Sequence, residues 1–405
     1  MTELTIASFN VKNLIGPDQE YYKFQSYTPE EFAWKKDWLS EQVQALDADV
    51  VGFQEIFDKA VLEEVIADAD AEGIAANAQN IPGEDKRYRK KAIFRKLAYR
   101  PYTNAALAVA PNLNDTGEPG KRRPGVAILS RLGFADEPMM LQELAEPLDI
   151  GFGPMGEDGG GSFRLTRLSR PILRVRIPVA GHVVTVFNCH LKSKLGEYPP
   201  MPDGSPPREI DLTQYDATGR ALGSLRAALR RMAEAWALRR EIVSELEAGR
   251  PVLCLGDFND AEHAVSSEII SGEHPFKNYG WMLRHDAEHR SDRYTEEEDA
   301  QIREAIEAVR LHSAEKQFVR KSARDMVYTA AFGGVYESID QIYMSRHFLP
   351  EAPASIGEME YFSVFNDHLT DGSHPEAPYN KLASDHGQIM AHFRLKDAGG
   401  SDASH

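Results

Sequence analysis

The chain has 405 residues, with 46 Lys+Arg against 63 Asp+Glu and a formal net charge of −17. Hydrophobic residues make up 42% and charged residues 27%, a globular composition that excludes a disordered or fibrous chain. Two cysteines, Cys189 and Cys254, cannot supply a disulfide framework or a cysteine-built zinc site. No apolar run approaches the roughly 18 residues of a membrane helix, and the start MTELTIASFN lacks a basic segment, a long apolar stretch and a small-residue cleavage site. The expectation is a cytoplasmic chain, monomeric by default. Its acidity argues against a general nucleic-acid coat protein but leaves room for a local basic groove.

Taken in chain order, Leu4 to Phe9 alternates as a strand does. Thr28-Pro29-Glu30-Glu31 reads as N-cap, first-turn proline and capping-box glutamate of a helix carrying Phe32, Trp38, Val43 and Leu46. Val50 to Phe53 predicts a second strand and Ile56 to Ile66 a second helix. Gly125 to Leu129, Ile172 to Ile177 and Val183 to Phe187 predict further strands. Leu222, Leu225, Leu229, Met232 and Trp236 recur at helical steps and mark one long amphipathic helix. Val252 to Leu255 is a short buried strand, and Ile339 to Met344 and Gln388 to Leu395 close the set. Such alternation means α/β or α+β with a substantial sheet. Three stretches read as insertions: 78–124, basic; 196–219, Pro-rich and irregular; and 284–325, strongly charged and partly helical. Residues 397–405 read as a disordered tail.

The chemistry stands at the strand ends. Asn10 follows the first strand, Gln54-Glu55 the second, and His190 the Val183 strand. Gly256-Asp257-Phe258-Asn259 follow Val252–Leu255, Asp340 interrupts an apolar strand, and Ser384-Asp385-His386 precede the last one. A rigid sheet fixes the position of such groups while the loops beside them admit substrate. Carboxylates, amides and two histidines supply hard oxygen ligands for a magnesium-like ion together with acid–base groups for a phosphate. A lone strand-end aspartate is ordinarily a turn residue, but that does not explain all of these positions together.

With those residues in view, the sequence resembles the endonuclease/exonuclease/phosphatase superfamily of metal-dependent phosphoesterases, and its bacterial nuclease-like members in particular. The carrying segments are SFNVKNL, FQEIF, NCHLKSK, GDFND, SIDQIYMS and SDH at 384–386, in the family order and spanning residue 4 to about 395. The resemblance implies an α+β fold, a four-layer αββα sandwich of two packed mixed sheets flanked by helices, forming a single domain over 1–396. It implies Mg²⁺ or Mn²⁺ held by Glu55 with Asn10 and Asp385. His386 looks like the family's general base or phosphate ligand, with Asp340 holding its imidazole. His190 looks like the second histidine, Asp257 would orient or deprotonate the attacking water, and Asn259 would donate to a phosphate oxygen. Lys12 and His190 stand where the abasic-repair branch carries Asp and Tyr. Both point instead toward deoxyribonuclease, sphingomyelinase and phosphatase branches.

Other signals bear on the substrate. Residues 86–100 (KRYRKKAIFRKLAYR) carry eight basic residues and no acid, interleaved with aromatics, and Lys121-Arg122-Arg123 follow. That composition suits a nucleic-acid groove or a solvated insertion face, with Lys90, Lys91 and Arg95 as phosphate contacts. Lys192 and Lys194 lie closer to the histidine. His285-Asp286-Ala287-Glu288-His289 matches an inverted zinc-peptidase pattern within a charged insertion, where a surface helix explains it better. Cys189 and Cys254 read as core, Cys189 pointing away from the face His190 uses. The function expected is metal-dependent hydrolysis of phosphodiesters, with nucleic acid as substrate. The rivals are a phosphatase or sphingomyelinase-like enzyme on a small phosphate ester, and a non-catalytic binding module.

Overall fold

In the computed structural model, which describes residues 1–22, 24–79, 98–113, 118, 120–151, 162–272, 295–319, 327–371, 373, 380 and 382–398, the first alternation forms β1 (Thr2–Leu14) and the Thr28 capping box opens α1 (Pro29–Leu46). The Glu31 amide donates to Thr28 Oγ1 at 3.2 Å and the Thr28 amide to Glu31 Oε2 at 3.1 Å, satisfying two orphan donors of the helix start. β2 (Val50–Ile56) runs on to Ile56, so the helix expected from that residue begins only at Lys59, as α2 (Lys59–Gln79). β3 (Ala106–Ala110), β4 (Gly125–Ser130), β5 (Met139–Gly151), β6 (Ser162–Val179) and β7 (His182–His190) follow. The long amphipathic helix is α3 (Ala217–Glu247), and the Pro-rich segment before it holds two 3₁₀ turns, Arg208–Ile210 and Leu212–Gln214. Next come β8 (Val252–Asp257), α4 (Val265–Ser271), α5 (Glu296–Val309), β9 (Leu311–Ser313) and α6 (Ala314–Val319). A hairpin of β10 (Ala330–Phe332) and β11 (Val335–Glu337) leads to β12 (Asp340–Ser345), β13 (Gly357–Phe365) and β14 (Gln388–Leu395).

The strands form two six-stranded sheets, ordered β13-β14-β1-β2-β4-β3 and β5-β6-β7-β8-β12-β9. Each is mixed: β1–β2 and β7–β8 run parallel and the other ladders antiparallel. Strand alternation sorts the side chains into three apolar layers. Leu4, Ile6, Val126 and Ile389 of the first sheet meet Val184, Val186, Leu253, Leu255 and Ile342 of the second. Ala7, Phe9, Val51 and Phe53 face the other way, onto Leu39 and Val43 of α1 and Leu62 and Val65 of α2. Phe187, Cys189, Cys254 and Tyr343 pack under Leu238, Ile242 and Leu246 of α3. The order helix, sheet, sheet, helix is the expected α+β sandwich. Among the described residues, no helix is long and apolar enough to cross a membrane.

The chain after β14 returns to the N-terminus. Asp397 accepts from the N-terminal amine and from Thr2 Oγ1, both at 2.7 Å, and the Ala398 amide donates to the Ala180 carbonyl at 2.7 Å. Residues 399–405 lie outside the described residues.

Candidate active site

The alternation that builds the core also builds the site. On β1, β7, β8 and β12 the inward-facing series runs from apolar residues into Asn10, Asn188 and His190, Asp257, and Asp340. In the second sheet His190 pairs directly with Asp257, and Asp257 with Asp340, so three adjacent strands place their polar groups in one row. Below that row lies an amide layer. Gln54 Nε2 donates to Asn188 Oδ1 at 2.7 Å, and Asn188 Nδ2 donates to the carbonyls of Phe53 and Ala127 at 3.0 and 2.8 Å. The sheets must approach closely here. A Cβ on Gly52 of β2 would sit 2.2 Å from Leu255 Cδ1 and 3.1 Å from Asn188 Cγ across the interface.

Glu55 reaches the site through a bulge. The β1–β2 register passes from Asn10↔Gln54 to Leu14↔Ile56, so Val11, Lys12 and Asn13 oppose Glu55 alone. Lys12, Asn13 and Glu55 take φ values of 52°, 56° and 66°, a strained region for side-chain-bearing residues that persists where surrounding contacts enforce it. One such contact is the Asn13 amide donating to Glu55 Oε2 at 2.8 Å. The bulge also turns Ile56 onto the α1–α2 side.

At the centre is Asp257, 1% exposed. Its Oδ2 accepts from Asn10 Nδ2 at 3.0 Å and lies 3.2 Å from His190 Nε2 and 3.8 Å from His386 Nε2, while Oδ1 accepts the Asn259 amide at 2.8 Å. Asn10 Nδ2 also lies 3.4 Å from Glu55 Oε1 and from His386 Nε2. His386 Nδ1 meets Asp340 Oδ2 at 2.8 Å. The Ser384 hydroxyl donates to the Asn10 carbonyl at 2.6 Å and accepts the His386 amide at 3.0 Å, stapling this loop to β1. Thr329 Oγ1 accepts the amides of Ile339 and Asp340, both at 3.0 Å.

Charges follow from this geometry. Burial opposes protonation of His386, but the carboxylates of Asp340 and Asp257 outweigh it and hold its pKa well above the ordinary histidine value. Both ring nitrogens face carboxylates, so both are donors. His190 goes the other way: burial, then the charges of Arg170 and His386, push it well below the ordinary value. Its contact with Asp257 is therefore a hydrogen bond from a neutral imidazole, not an ion pair. Burial, helped by Asp340 and Glu55 and opposed by His386, pushes Asp257 up to about 7.

The donor set fits a hard divalent cation. Carboxylate oxygens of Asp257 and Asp340 lie within 4.8 Å of one another, beside the charged His386 ring, which has no lone pair to offer a metal. Among the described residues, Asp340 Oδ1 and Asn13 Oδ1 are buried without a hydrogen-bond partner, and Glu55 Oε1 receives only the long Asn10 contact. Unsatisfied carboxylate and amide oxygens around buried acid are what such an ion neutralises. Asp385 stands apart from that trio, with its half-exposed carboxylate 3.8 Å from Lys12 Nζ.

Other expected residues are engaged elsewhere. Asn259, at φ 54°, donates Nδ2 to the Leu191 carbonyl at 3.0 Å. Lys194 Nζ lies 2.9 Å from Glu337 and 3.9 Å from Asp260, and Lys192 Nζ donates to the Ser193 and Leu195 carbonyls at 3.2 and 2.8 Å. Gln341 Nε2 donates to the Asp260 carbonyl at 2.6 Å, on the face opposite Asp340. Lys90, Lys91, Arg95 and the His285–His289 pattern lie outside the described residues. Cys189 and Cys254 are buried under α3, and burial, then the Cys254 side chain, pushes the Cys189 thiol well up, as suits core.

Sequence reading missed Arg170, whose guanidinium donates to the Leu191 carbonyl at 3.2 Å beside His190. It also missed Lys35, fully buried on α1, whose Nζ donates at 3.0 Å to the carbonyls of both Val11 and Leu382. A lysine among apolar positions of a helix was the available signal for the second; the first had none.

A family model described as "Endonuclease/Exonuclease/phosphatase family" matches residues 7–386. The chain belongs to the endonuclease/exonuclease/phosphatase family and is a phosphoesterase hydrolase, of a kind generally dependent on a divalent metal. Among solved structures it is similar to TDP2 from Caenorhabditis elegans, at 12% identity and TM-score 0.42, over 97% of this chain and 74% of that one. It is similar also to a mannosyl-6-phosphatase from Bacteroides thetaiotaomicron, at 13% identity and TM-score 0.43, over 97% and 100% of the two chains. A family member from Beutenbergia cavernae gives 15% identity and TM-score 0.43, over 97% and 72%. No curated protein matches the sequence.

Proposed function

We propose that the protein is a Mg²⁺- or Mn²⁺-dependent phosphodiesterase acting on nucleic acid, a nuclease that cleaves by in-line attack of an activated water. The observation that carries the chemistry is the convergence of Asn10, His190, Asp257, Asp340 and His386 at one rim of the two sheets, with Glu55 bonded through Asn10. Glu55 and Asn10, with Asp385, would hold the cation, which when bound neutralises charge developing on the phosphoryl oxygens. Asp257 takes the proton of the attacking water, and its acceptor oxygen is fixed between Asn10 and His190. Asp340 aligns His386 and keeps it charged, so its Nε2–H stabilises the transition-state phosphoryl rather than serving as base. Asn259 orients Asp257 through its backbone amide and has a second side-chain hydrogen for phosphate.

The basic run at 86–100 supports a polynucleotide substrate. One observation favours the second reading, a phosphatase or sphingomyelinase-like enzyme on a small phosphate ester: Lys194, expected at a phosphate, is already paired with Glu337. A panel of plasmid DNA, single-stranded DNA, RNA, sphingomyelin, bis-p-nitrophenyl phosphate and p-nitrophenyl phosphate, with Mg²⁺ or Mn²⁺, separates them. Diester cleavage without monoester cleavage is expected. Monoester cleavage alone would replace the nuclease with a phosphatase.

A further inference from the structure

Beside the catalytic rim lies a cavity of about 610 Å³, bounded by Tyr22 before α1, Asn112 and Arg123 between β3 and β4, the start of β6, and the Lys192–Leu195 segment after β7. Its ionisable lining is Arg123, Arg164, Arg167, Arg170, Lys192 and Arg230, against the single acid Glu197. In a chain of net charge −17 that is a local reversal of sign. Part of it is neutralised within the protein: Arg230 pairs with Glu197 at 2.7 Å, and Arg167 with Glu143. Arg123 and Arg164 form no ion pair among the described residues; Arg123 lies over the Tyr22 ring, 5.8 Å from its centroid. Arg123 and Arg164 are exposed, and like charges gathered around one concave surface favour an anion between them.

One residue, Arg170, joins the cavity to the site. Arg170 lines the cavity, bonds the Leu191 carbonyl one residue past His190, and lowers the His190 pKa by its charge. Tyr22, which also lines it, feels the charges of both Arg170 and Glu55. Arg170 thus stands at the junction, and Arg123 and Arg164 line the cavity at exposed positions.

We propose that this cavity is a second anion-binding subsite, which takes a phosphate group of the substrate other than the one cleaved. The substrate class is then a molecule with at least two phosphates, such as an oligonucleotide or a polyphosphorylated small molecule. Guanidinium groups suit that ligand because their planar forks match phosphate oxygens in pairs. The assignment of these roles rests on the rim being the cleavage site, but anion binding in the cavity does not require turnover and is measured without it.

The test is isothermal titration of the full chain with inorganic pyrophosphate in buffer freed of metal on a chelating resin. Three proteins are compared: wild type, Arg123→Ser/Arg164→Ser, and a charge-matched control, Arg303→Ser/Arg394→Ser, whose positions lie outside the cavity lining. Wild type should bind, the cavity variant at least tenfold more weakly, and the control within twofold of wild type. Equal affinities in all three, or no binding by wild type at millimolar pyrophosphate, would overturn the subsite. If the double variant fails to fold by thermal unfolding, Arg164→Ser alone, at an exposed position, is compared on the same terms and should weaken binding at least threefold. Pyrophosphate binding without hydrolysis of any ester would uphold the subsite and reject the cleavage reading; the reverse pair of results would reject the subsite alone.

Discussion

At the scale of single residues, the decisive pair is Asp340 and His386. A buried carboxylate 2.8 Å from an imidazole whose other nitrogen faces Asp257 makes the ring a cation held between two acids. Asp340→Asn removes one of those charges, so the His386 pKa should fall toward the ordinary range, as read by NMR titration of the ring in metal-free protein. Turnover should fall about 100-fold, the scale of a lost proton-transfer or charge-stabilising group, while the metal concentration giving half-maximal activity stays put. A raised metal requirement with normal turnover at saturation would contradict the role given to Asp340. Much of this site was legible because strand alternation projects Asn10, His190, Asp257 and Asp340 inward from sequence alone. Glu55 was legible only as a strand-end acid: the bulge that aims it depends on Asn13 across the ladder. Arg170 was not legible, because a long side chain reaches the site from a strand whose other residues serve the core, and no spacing marks it.

At the scale of elements, Glu245 ties α3 to the second sheet. This buried carboxylate lies 3.2 Å from Arg174 and 2.8 Å from Arg176 of β6, accepts from Thr185 Oγ1 of β7 at 2.7 Å, and pairs with Arg250. Burial works against ionisation, yet hydrogen bonds from Arg250, Arg176 and Thr185 hold its pKa down to about 2. The folded pKa lies below the unfolded value of about 4.3, so the unfolded chain binds the proton more readily. The contribution is full above that value and is lost as pH falls toward about 2. Urea midpoints of wild type and Glu245→Gln should therefore converge between pH 5 and the lower limit of folding, with a gap of about 3–5 kcal/mol at neutral pH. A gap that does not change with pH would contradict the ionic account. Lys35 links α1 to β1 and to the loop before Ser384, and Lys35→Met leaves two buried carbonyls unpaired, at about 1–3 kcal/mol each. The urea midpoint should drop, and the loosened Ser384–His386 loop should lower turnover more than it raises the Michaelis constant; an unaltered midpoint would remove the clamp. The α1 start was legible down to its capping box, since that signal is local. The α2 start was not, because Ile56 suits a helix as well as a strand and only its pairing with Leu14 and Gly125 decides.

At the scale of the whole molecule, the sequence pattern named α and β segments in order but not the two-sheet packing, which came from family resemblance. Buried central strands carry dense apolar runs and were found. β3, β5, β9 and β13 are at or near sheet edges, where polar residues and Pro147 are tolerated and the alternation fades. Substrate preference is also a property of the assembled surface. If residues 86–100 contact a polynucleotide, Lys90→Ser/Lys91→Ser/Arg95→Ser should flatten the salt dependence of duplex binding in Ca²⁺ by roughly 0.9 log units per lost phosphate contact. Identical slopes for variant and wild type would remove that basic segment from the interface.

The claim on which the account rests is that Glu55 and the carboxylates around it at the rim serve a divalent cation in phosphodiester cleavage. The most direct measurement is the rate of bis-p-nitrophenyl phosphate hydrolysis by wild type and Glu55→Gln during a Mg²⁺ or Mn²⁺ titration, before and after EDTA. The account predicts that EDTA abolishes the wild-type rate, that added cation restores it, and that Glu55→Gln needs at least tenfold more cation for half its maximum. Undiminished hydrolysis by wild type in excess chelator, or an unshifted titration for Glu55→Gln, would contradict it.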